Sequence, residues 1–241
     1  KYRTLARKLV EASRTRKPAD IISESVAKVL YGEVSPYSAT RLERYSACAF
    51  AHFLQYGLKL TERAEYEFRA MDMGNIMHKV LESLIKEVNK EKLSLAELSE
   101  EERDALADRL VDEISADYGN TILKSSARNE YMIQRTKRMV RRTVWAIQKQ
   151  LKSGEFEPEG VEVVFQGGRI DRVDTMETDD GKLYVRVIDY KTGNTSFDLV
   201  SLYHGLQLQL MIYMDGALTV EQNKHKNKEV IPAGVFYYNI K

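Results

Sequence analysis

Cysteine is nearly absent from this chain, with Cys48 the one thiol in 241 residues. An internal disulfide is thereby excluded, and a reducing cytoplasm is the expected setting. No apolar run approaches the ~20 residues needed to span a bilayer, and nothing resembles a cleaved leader, so no membrane role is expected. The phosphate-binding pattern G-x-x-x-x-G-K-[ST] does not occur, which argues against ATP hydrolysis by this piece. Internal repeats, low-complexity tracts and long structureless linkers are missing as well. The chain begins with Lys1 rather than methionine and is expected to be part of something larger. Net charge is small too, +1 from 37 basic and 36 acidic residues.

What the chain does contain is charge sorted by position. Residues 1–17 hold Lys1, Arg3, Arg7, Lys8, Arg14, Arg16 and Lys17 against Glu11 alone, and residues 124–152 hold nine basic groups against Glu130. The acids concentrate between Glu87 and Asp117. A near-neutral total therefore hides a locally polarised molecule. Hydrophobic residues at 43% and charged residues at 30% are those of an ordinary globular protein. The length suits one large domain, or one core with a helical insertion.

Periodicity divides the chain into a helical part and a strand-rich part. Residues 1–35 read as a basic arm, helical to about residue 31, interrupted at Lys17-Pro18 and closed by a turn at Glu33-Val34-Ser35-Pro36. A domain is expected over 36–241, helical to about 153 and built on a sheet from about 154. Ser38 or Thr40 can cap a helix running to about Tyr56, closed by Gly57. A second helix is predicted over about 72–90, with Met73, Met77, Val80, Leu81, Leu84 and Val88 as its apolar stripe. An acidic helix follows over 95–118, ended by Gly119-Asn120. The fourth, about 128–152, buries Ile133, Val140, Val144, Ile147 and Leu151 and carries Arg135, Arg138, Arg142 and Lys149 along another side. That basic stripe is either a track for nucleic acid or an ordinary solvated face. Strands are predicted at about 160–166, 168–174 and 183–190, then a helix over 201–218 and a last strand over 230–239.

The chemistry concentrates in Gly168-Arg169-Ile170-Asp171 and Val187-Ile188-Asp189-Tyr190-Lys191-Thr192-Gly193. A turn signal, Asp179-Asp180-Gly181, lies between them. Positions 171 and 189 sum to 360, so an ungapped hairpin centred on residue 180 sets Asp171 across from Asp189 on one face. Lys191, two residues on, shares that face. Carboxylates so close repel each other unless a proton or cation lies between them. A hard divalent cation such as Mg²⁺ is the natural occupant. Taken alone, an aspartate-x-lysine triplet in a strand is common and carries nothing.

These two segments resemble the catalytic core of the PD-(D/E)XK nuclease superfamily, in its RecB-like branch, with Asp189-Tyr190-Lys191 as the D-x-K element. The resemblance implies a mixed α/β fold with an α-β-β-β-α-β restriction-endonuclease-like core, which the predicted order of elements matches. Gly74-Asn75-Ile76-Met77-His78 is similar to the branch's G-x-x-x-H motif, whose histidine completes the metal site. A lone histidine at the edge of an apolar stripe would otherwise be an ordinary boundary residue. Gln209 and Tyr213 match its Q-x-x-x-Y motif, which implies contact with a phosphate or with the catalytic lysine. The plainer reading makes them the polar edge of an amphipathic helix. Glu162 stands where such nucleases often carry an acid, and an exposed strand glutamate reads equally well.

The segment Ser38-Ala39-Thr40-Arg41-Leu42-Glu43-Arg44-Tyr45-Ser46-Ala47-Cys48-Ala49-Phe50 narrows the likeness. With Phe53, Tyr56-Gly57-Leu58 and Tyr203-His204-Gly205-Leu206-Gln207-Leu208-Gln209-Leu210, it resembles the AddB family, nuclease-bearing subunits of bacterial AddAB helicase–nucleases. The likeness runs over about 36–240. In that family the cysteine matching Cys48 is the first of four ligands of a [4Fe–4S] cluster, the other three lying beyond the last strand. A cluster is therefore expected in a longer chain and not in this piece, with Cys48 either an orphaned ligand or a plain buried cysteine. Ala49 replaces the family's usual proline.

The resemblance implies a metal-dependent exodeoxyribonuclease acting on single-stranded DNA ends in double-strand-break repair, alongside an AddA-like helicase–nuclease subunit. Mg²⁺, or Mn²⁺ given the histidine, would be held by Asp171, Asp189, His78 and the Tyr190 carbonyl. Lys191 would orient or help deprotonate the attacking water. Arg135, Arg138, Arg142 and Lys149 would meet phosphates. Alternatives are a phage or CRISPR-associated RecB-like exonuclease and a catalytically silent DNA-binding or scaffolding domain.

Overall fold

The computed structural model describes residues 3, 4, 7, 10, 23–32, 38–61, 70–117 and 127–240. Most of the expected basic arm, the turn at 33–36 and the Gly119-Asn120 stop lie outside the described residues, although Arg3, Thr4, Arg7 and Val10 are helical. Helix α1 (Glu24–Tyr31) is capped by the Ser23 hydroxyl, which accepts from the Val26 N–H. Helix α2 (Ala39–Ala47) is capped in the same way by Ser38, which accepts from the Arg41 N–H at 3.3 Å. The single helix expected to reach Tyr56 is instead broken at Cys48, whose backbone is extended (φ −165°, ψ 107°). Its Sγ then accepts from the Ala51 N–H at 3.5 Å and starts α3 (Ala49–His52), which continues as a π-turn over Phe53–Gly57.

The long helices are α4 (Ala70–Lys90), α5 (Glu100–Asp117) and α6 (Ala127–Lys152). The acidic helix starts at residue 100 rather than 95 because Ser99 and Glu102 form a reciprocal cap. The Glu102 N–H donates to Ser99 Oγ at 3.2 Å, and the Ser99 N–H donates to Glu102 Oε2 at 3.0 Å. Leu95, left outside the helix, still reaches the core.

Four strands form one sheet in the order β1 (Glu157–Phe165), β2 (Gly168–Glu177), β3 (Lys182–Lys191), β4 (Glu229–Asn239). The first two pairings are antiparallel, and β3 with β4 is parallel. The β2–β3 ladder runs from Glu177↔Leu183 to Arg172↔Ile188, and all of it keeps the register predicted from the 179–181 turn. Between β3 and β4 the expected single helix is two, α7 (Leu199–Tyr203) and α8 (Gln209–Lys224). Gly205 separates them with φ +72°, and a Cβ there would lie 2.8 Å from Ser46 Oγ, so the turn requires glycine.

The sheet is covered on both faces. On one side Met73, Ile76, Met77, Val80, Leu81, Leu84 and Ile85 of α4 pack with Val111 of α5 and Val140, Val144 and Ile147 of α6 over Ile188 and Tyr190. The stripe predicted for α4 is thus fully inside. On the other side Met214 and Ala217 of α8 pack on Ile170, Val173, Val185 and Val187. Parallel pairing of β3 and β4 follows from the α8 crossover, since a parallel pair cannot be joined by a short turn. No described helix is long and apolar enough to cross a membrane.

Beneath α6 the sheet carries a buried polar network. Arg172 and Asp174, both 0% exposed, are bidentately paired at 2.7 and 2.8 Å. Arg186 adds a second pairing to Asp174 at 2.6 Å, and Arg172 donates to Tyr190 Oη at 3.0 Å. Removing one member leaves a buried charge undercompensated, whereas an exposed pair such as Arg141–Asp108 is screened by water. Arg172→Leu is expected to lower unfolding free energy by about 3 kcal/mol in urea titration, against less than about 1 kcal/mol for Arg141→Ala.

Candidate active site

The carboxylates meet where the sheet loosens. Between β1 and β2 the paired positions skip from Val161↔Arg172 to Val163↔Ile170, and the β2–β3 ladder stops one position short of Asp171 and Asp189. Glu162, in the skipped row, has φ +51°, a left-handed backbone that a non-glycine residue holds only when its surroundings impose it. The Tyr190 N–H donates to Asp171 Oδ2 at 2.7 Å. A side-chain carboxylate thus takes a main-chain donor at the end of the β2–β3 ladder, which fixes Asp171 against β3.

Helix α4 supplies the histidine. Gly74, one turn before His78, brings the helix close to the end of β3, since a Cβ there would lie 3.2 Å from Thr192 Oγ1. His78 Nδ1 is 3.4 Å from Asp171 Oδ2, and the imidazole stands edge-on to the Tyr190 ring. His78, Glu162 and Asp171 each offer a ligand atom, all within 4.8 Å of one another. Of the sequence-predicted side-chain ligands, His78 and Asp171 are in this set, Glu162 joins them, and Asp189 lies outside it.

Asp189 sits instead in a hydrogen-bonded cluster with the predicted lysine, glutamine and tyrosine. Lys191 Nζ is 2.6 Å from Asp189 Oδ2, an ion pair without the alignment of a hydrogen bond, and it donates to Gln209 Oε1 at 2.8 Å. Gln209 Nε2 reaches both Asp189 Oδ1 and Tyr213 Oη at 3.0 Å. Lys191 also stands over the Tyr237 ring, 5.4 Å from its centre. The four side chains come from β3 and the first turns of α8. Glu43 of α2 accepts from the Leu208 and Gln209 N–H groups at 2.7 and 2.9 Å, capping α8 at the residue that holds Lys191. Nothing in the sequence pairs Glu43 with residue 209 across 166 positions.

Electrostatics reflect the crowding. Burial, and then the Asp171 charge, push the Asp189 carboxyl up to about 6, against the pull of Lys191 and His78. Burial also raises Glu162, with Asp171 and Glu82 adding to it and Arg169 opposing. For His78 burial acts downward, but the Asp171 hydrogen bond and the charges of Asp171, Asp189 and Glu162 outweigh it and raise its pKa. A site in which acids resist ionising and a histidine holds its proton lacks positive charge, and a divalent cation would relieve all of these together. The donor set of one imidazole and hard carboxylates fits Mg²⁺ or Mn²⁺.

The other predicted residues lie apart from this cluster. The Tyr190 side chain is buried against Arg172, its ring beside His78 and its hydroxyl away from Asp189 and Lys191. Arg135, Arg138 and Arg142 line a shallow cavity of about 270 Å³ with Tyr131 and Met139, and Lys149 is exposed further along α6. Lys137 and Arg141, by contrast, pair with Asp112 and Asp108 of α5. The acidic helix thus neutralises one side of α6 and leaves the predicted stripe without a carboxylate partner among the described residues. Cys48 is exposed. As the chain has no other cysteine, a four-cysteine cluster does not fit residues 1–241 alone. A cavity of about 630 Å³ between the end of α4 and the start of β1 contains none of the candidate residues.

Residues 36–241 match the family model of the PD-(D/E)XK nuclease superfamily, and the chain belongs to that superfamily. It is also similar to several bacterial proteins named as the B subunits of ATP-dependent helicase/deoxyribonucleases. With that of Lachnoclostridium phytofermentans it shares 48% identity over 227 residues, covering 91% of this chain and 20% of the relative. With that of Caldanaerobacter subterraneus it shares 40% over 233 residues, 88% and 20% of the two chains, and with that of Alkaliphilus metalliredigens 37% over 239 residues, 91% and 21%. The chain spans about a fifth of the length of the curated relatives it matches.

The raised Asp189 pKa carries a stability cost in the metal-free protein. Below the unfolded value of 3.8 both states are protonated and the cost is absent; above about 6 both are ionised and it is fully present. Asp189→Asn is therefore expected to stabilise the metal-free chain at pH 8 by on the order of 1–3 kcal/mol, with the gain fading between pH 6 and pH 4. Urea titrations of both proteins at pH 4 and pH 8, with chelator present, measure it.

Proposed function

We propose that this chain is the nuclease domain of an AddB-type helicase–nuclease subunit and hydrolyses phosphodiester bonds of single-stranded DNA with a divalent cation, Mg²⁺ or Mn²⁺. The observation that carries this reading is the convergence of His78, Glu162 and Asp171 beside the Asp189–Lys191–Gln209–Tyr213 cluster, in one loosened row of the sheet. His78, Asp171, Asp189 and the Tyr190 carbonyl would hold the ion, with Glu162 as a further carboxylate. When bound, the ion supplies a water of lowered pKa and an electrophile for a phosphate oxygen.

The chain's own groups do the rest. Lys191 places an ammonium beside the acids, where it orients the attacking water and offsets charge developing on the phosphate. Gln209 holds that ammonium in place and is itself held by Tyr213 and by the Glu43 cap. Arg135, Arg138, Arg142 and Lys149 meet backbone phosphates without reading bases. Similarity to the helicase/deoxyribonuclease B subunits supports a setting in double-strand-break repair with an AddA-like partner and DNA ends as substrate. The resemblance around Cys48 extends the proposal to a [4Fe–4S] cluster in a longer protein with Cys48 as one ligand, in the cytoplasm.

Asp171→Ala is expected to abolish cation-dependent degradation of single-stranded DNA and to remove the rise in melting temperature that Mg²⁺ or Mn²⁺ gives the parent. Lys191→Ala should keep or strengthen cation binding while turnover falls by about a hundredfold or more. Undiminished cleavage by either variant would remove that residue from the mechanism, and absence of cation-dependent cleavage by the unmutated chain would leave the domain's role as DNA binding or scaffolding. Replacing Arg135, Arg138 and Arg142 with Gln should weaken single-strand binding and reduce the slope of log affinity against log salt, by up to roughly 0.7 per lost contact. An unchanged slope would place the track elsewhere.

A further inference from the structure

A second cluster of metal-ligating side chains lies at the outer edge of the sheet, away from the residues of the candidate active site. Glu159 comes from β1, the strand that ends the sheet on that side; Glu221 and Lys224 come from the last turn of α8, and His225 is the residue that caps it. Glu221 is 0% exposed. Lys224 Nζ reaches its Oε1 at 2.7 Å and Glu159 Oε1 at 3.2 Å. The remaining Glu159 oxygen, Oε2, accepts from the Thr175 hydroxyl at 2.9 Å. Two atoms are left over. Glu221 Oε2 and His225 Nε2 are both buried, and neither has a hydrogen-bond partner.

These two atoms face each other at 3.6 Å, and His225 Nε2 is 3.8 Å from Glu159 Oε1. Those separations are too long for hydrogen bonds but close to the spacing of ligands on one ion. Donors ~2.0–2.2 Å from a tetrahedral Zn²⁺ stand roughly 3.3–3.6 Å apart. All three ligand atoms lie within 4.8 Å of one another. An imidazole with two carboxylates suits a transition-type cation such as Zn²⁺, which takes nitrogen and oxygen ligands together in a closed tetrahedral set. Two carboxylates against the Lys224 ammonium leave net negative charge, and Lys224 is exposed enough to swing outward when an ion enters.

We propose that Glu159, Glu221 and His225 form a second, structural divalent-cation site of the zinc class, tying the edge strand β1 to the C-terminal turn of α8. Its place in the fold gives it a purpose. The strand that supplies Glu159 carries Glu162 three residues on, and the helix that supplies Glu221 begins at Gln209. An ion here would pin together two elements on which the candidate active site is built, without touching substrate.

The test uses Zn²⁺ alone, added to the 241-residue chain carrying Asp171→Asn and Cys48→Ser so that the other carboxylate site and the thiol do not contribute. Titration calorimetry should give one equivalent bound, and the melting temperature should rise by roughly 5 °C at a hundredfold excess over Kd. Adding His225→Ala should weaken binding by about a hundredfold and cancel the rise. Adding Lys224→Ala instead should tighten binding by about tenfold, because a like charge beside the ion has gone. Loss of folding cannot mimic that gain. Absence of stoichiometric Zn²⁺ binding in the background protein would overturn the site, leaving a His225–Glu221 ion pair in its place. A response unaffected by His225→Ala, or weakened by Lys224→Ala, would overturn it as well.

Discussion

The hydrogen bond from the Tyr190 main-chain N–H to Asp171 Oδ2 is the contact on which the arrangement turns. A backbone donor there could have continued the β2–β3 ladder; its capture by a carboxylate ends the ladder and locks an acid to the neighbouring strand. The Asp171 charge, fixed in that place, acts on every titratable neighbour, raising Asp189 and Glu162 and helping His78 keep its proton. Geometry and electrostatics are set by one bond of 2.7 Å.

A buried polar network lies beside the active site. Under α6, Arg172 and Arg186 share the carboxylate of Asp174, and Arg172 also donates to Tyr190. At the active site Asp171, Asp189 and Glu162 crowd together, with Lys191, Arg169 and His78 beside them. Tyr190 links the two, its ring anchored by Arg172 while its N–H serves Asp171. That network steadies β2 and β3 next to the crowded carboxylates, which would otherwise relieve themselves by moving apart. Glu43 extends the same support from α2, and so joins the segment around Cys48 to the helix that steadies Lys191.

Much of this was legible in the residues. The Asp179-Asp180-Gly181 turn, with Gly181 at φ +80°, sets a hairpin register that the ladder keeps from Glu177↔Leu183 to Arg172↔Ile188. The 3.6-residue spacing of Met73, Met77, Val80, Leu81, Leu84 and Val88 named the buried face of α4 correctly. Breaks in helices were harder to read. Cys48 interrupts a helix with no glycine or proline to announce it, because its thiol can cap the next turn as a serine would. Gly205 did announce a break, but a strong apolar run on either side masks it. Arg172 and Asp174 look like solvent-facing strand residues and are fully buried, because each neutralises the other.

The sequence by itself determined the elements, the hairpin register and which acids and lysine could share a face, for these depend on neighbours within about twenty positions and on the period of two along a strand. Only the tertiary structure decided the company those residues keep. Glu162 joins His78 and Asp171 because its backbone turns left-handed, and Asp189 is drawn to Lys191 and Gln209. Lys137 and Arg141 of α6 are engaged by the acids of α5 while Arg135, Arg138 and Arg142 are not. Glu43 finds the start of α8, and Glu159 finds Glu221 and His225. Each of these meetings depends on how helices and strands lie across one another, which no local pattern of side chains encodes.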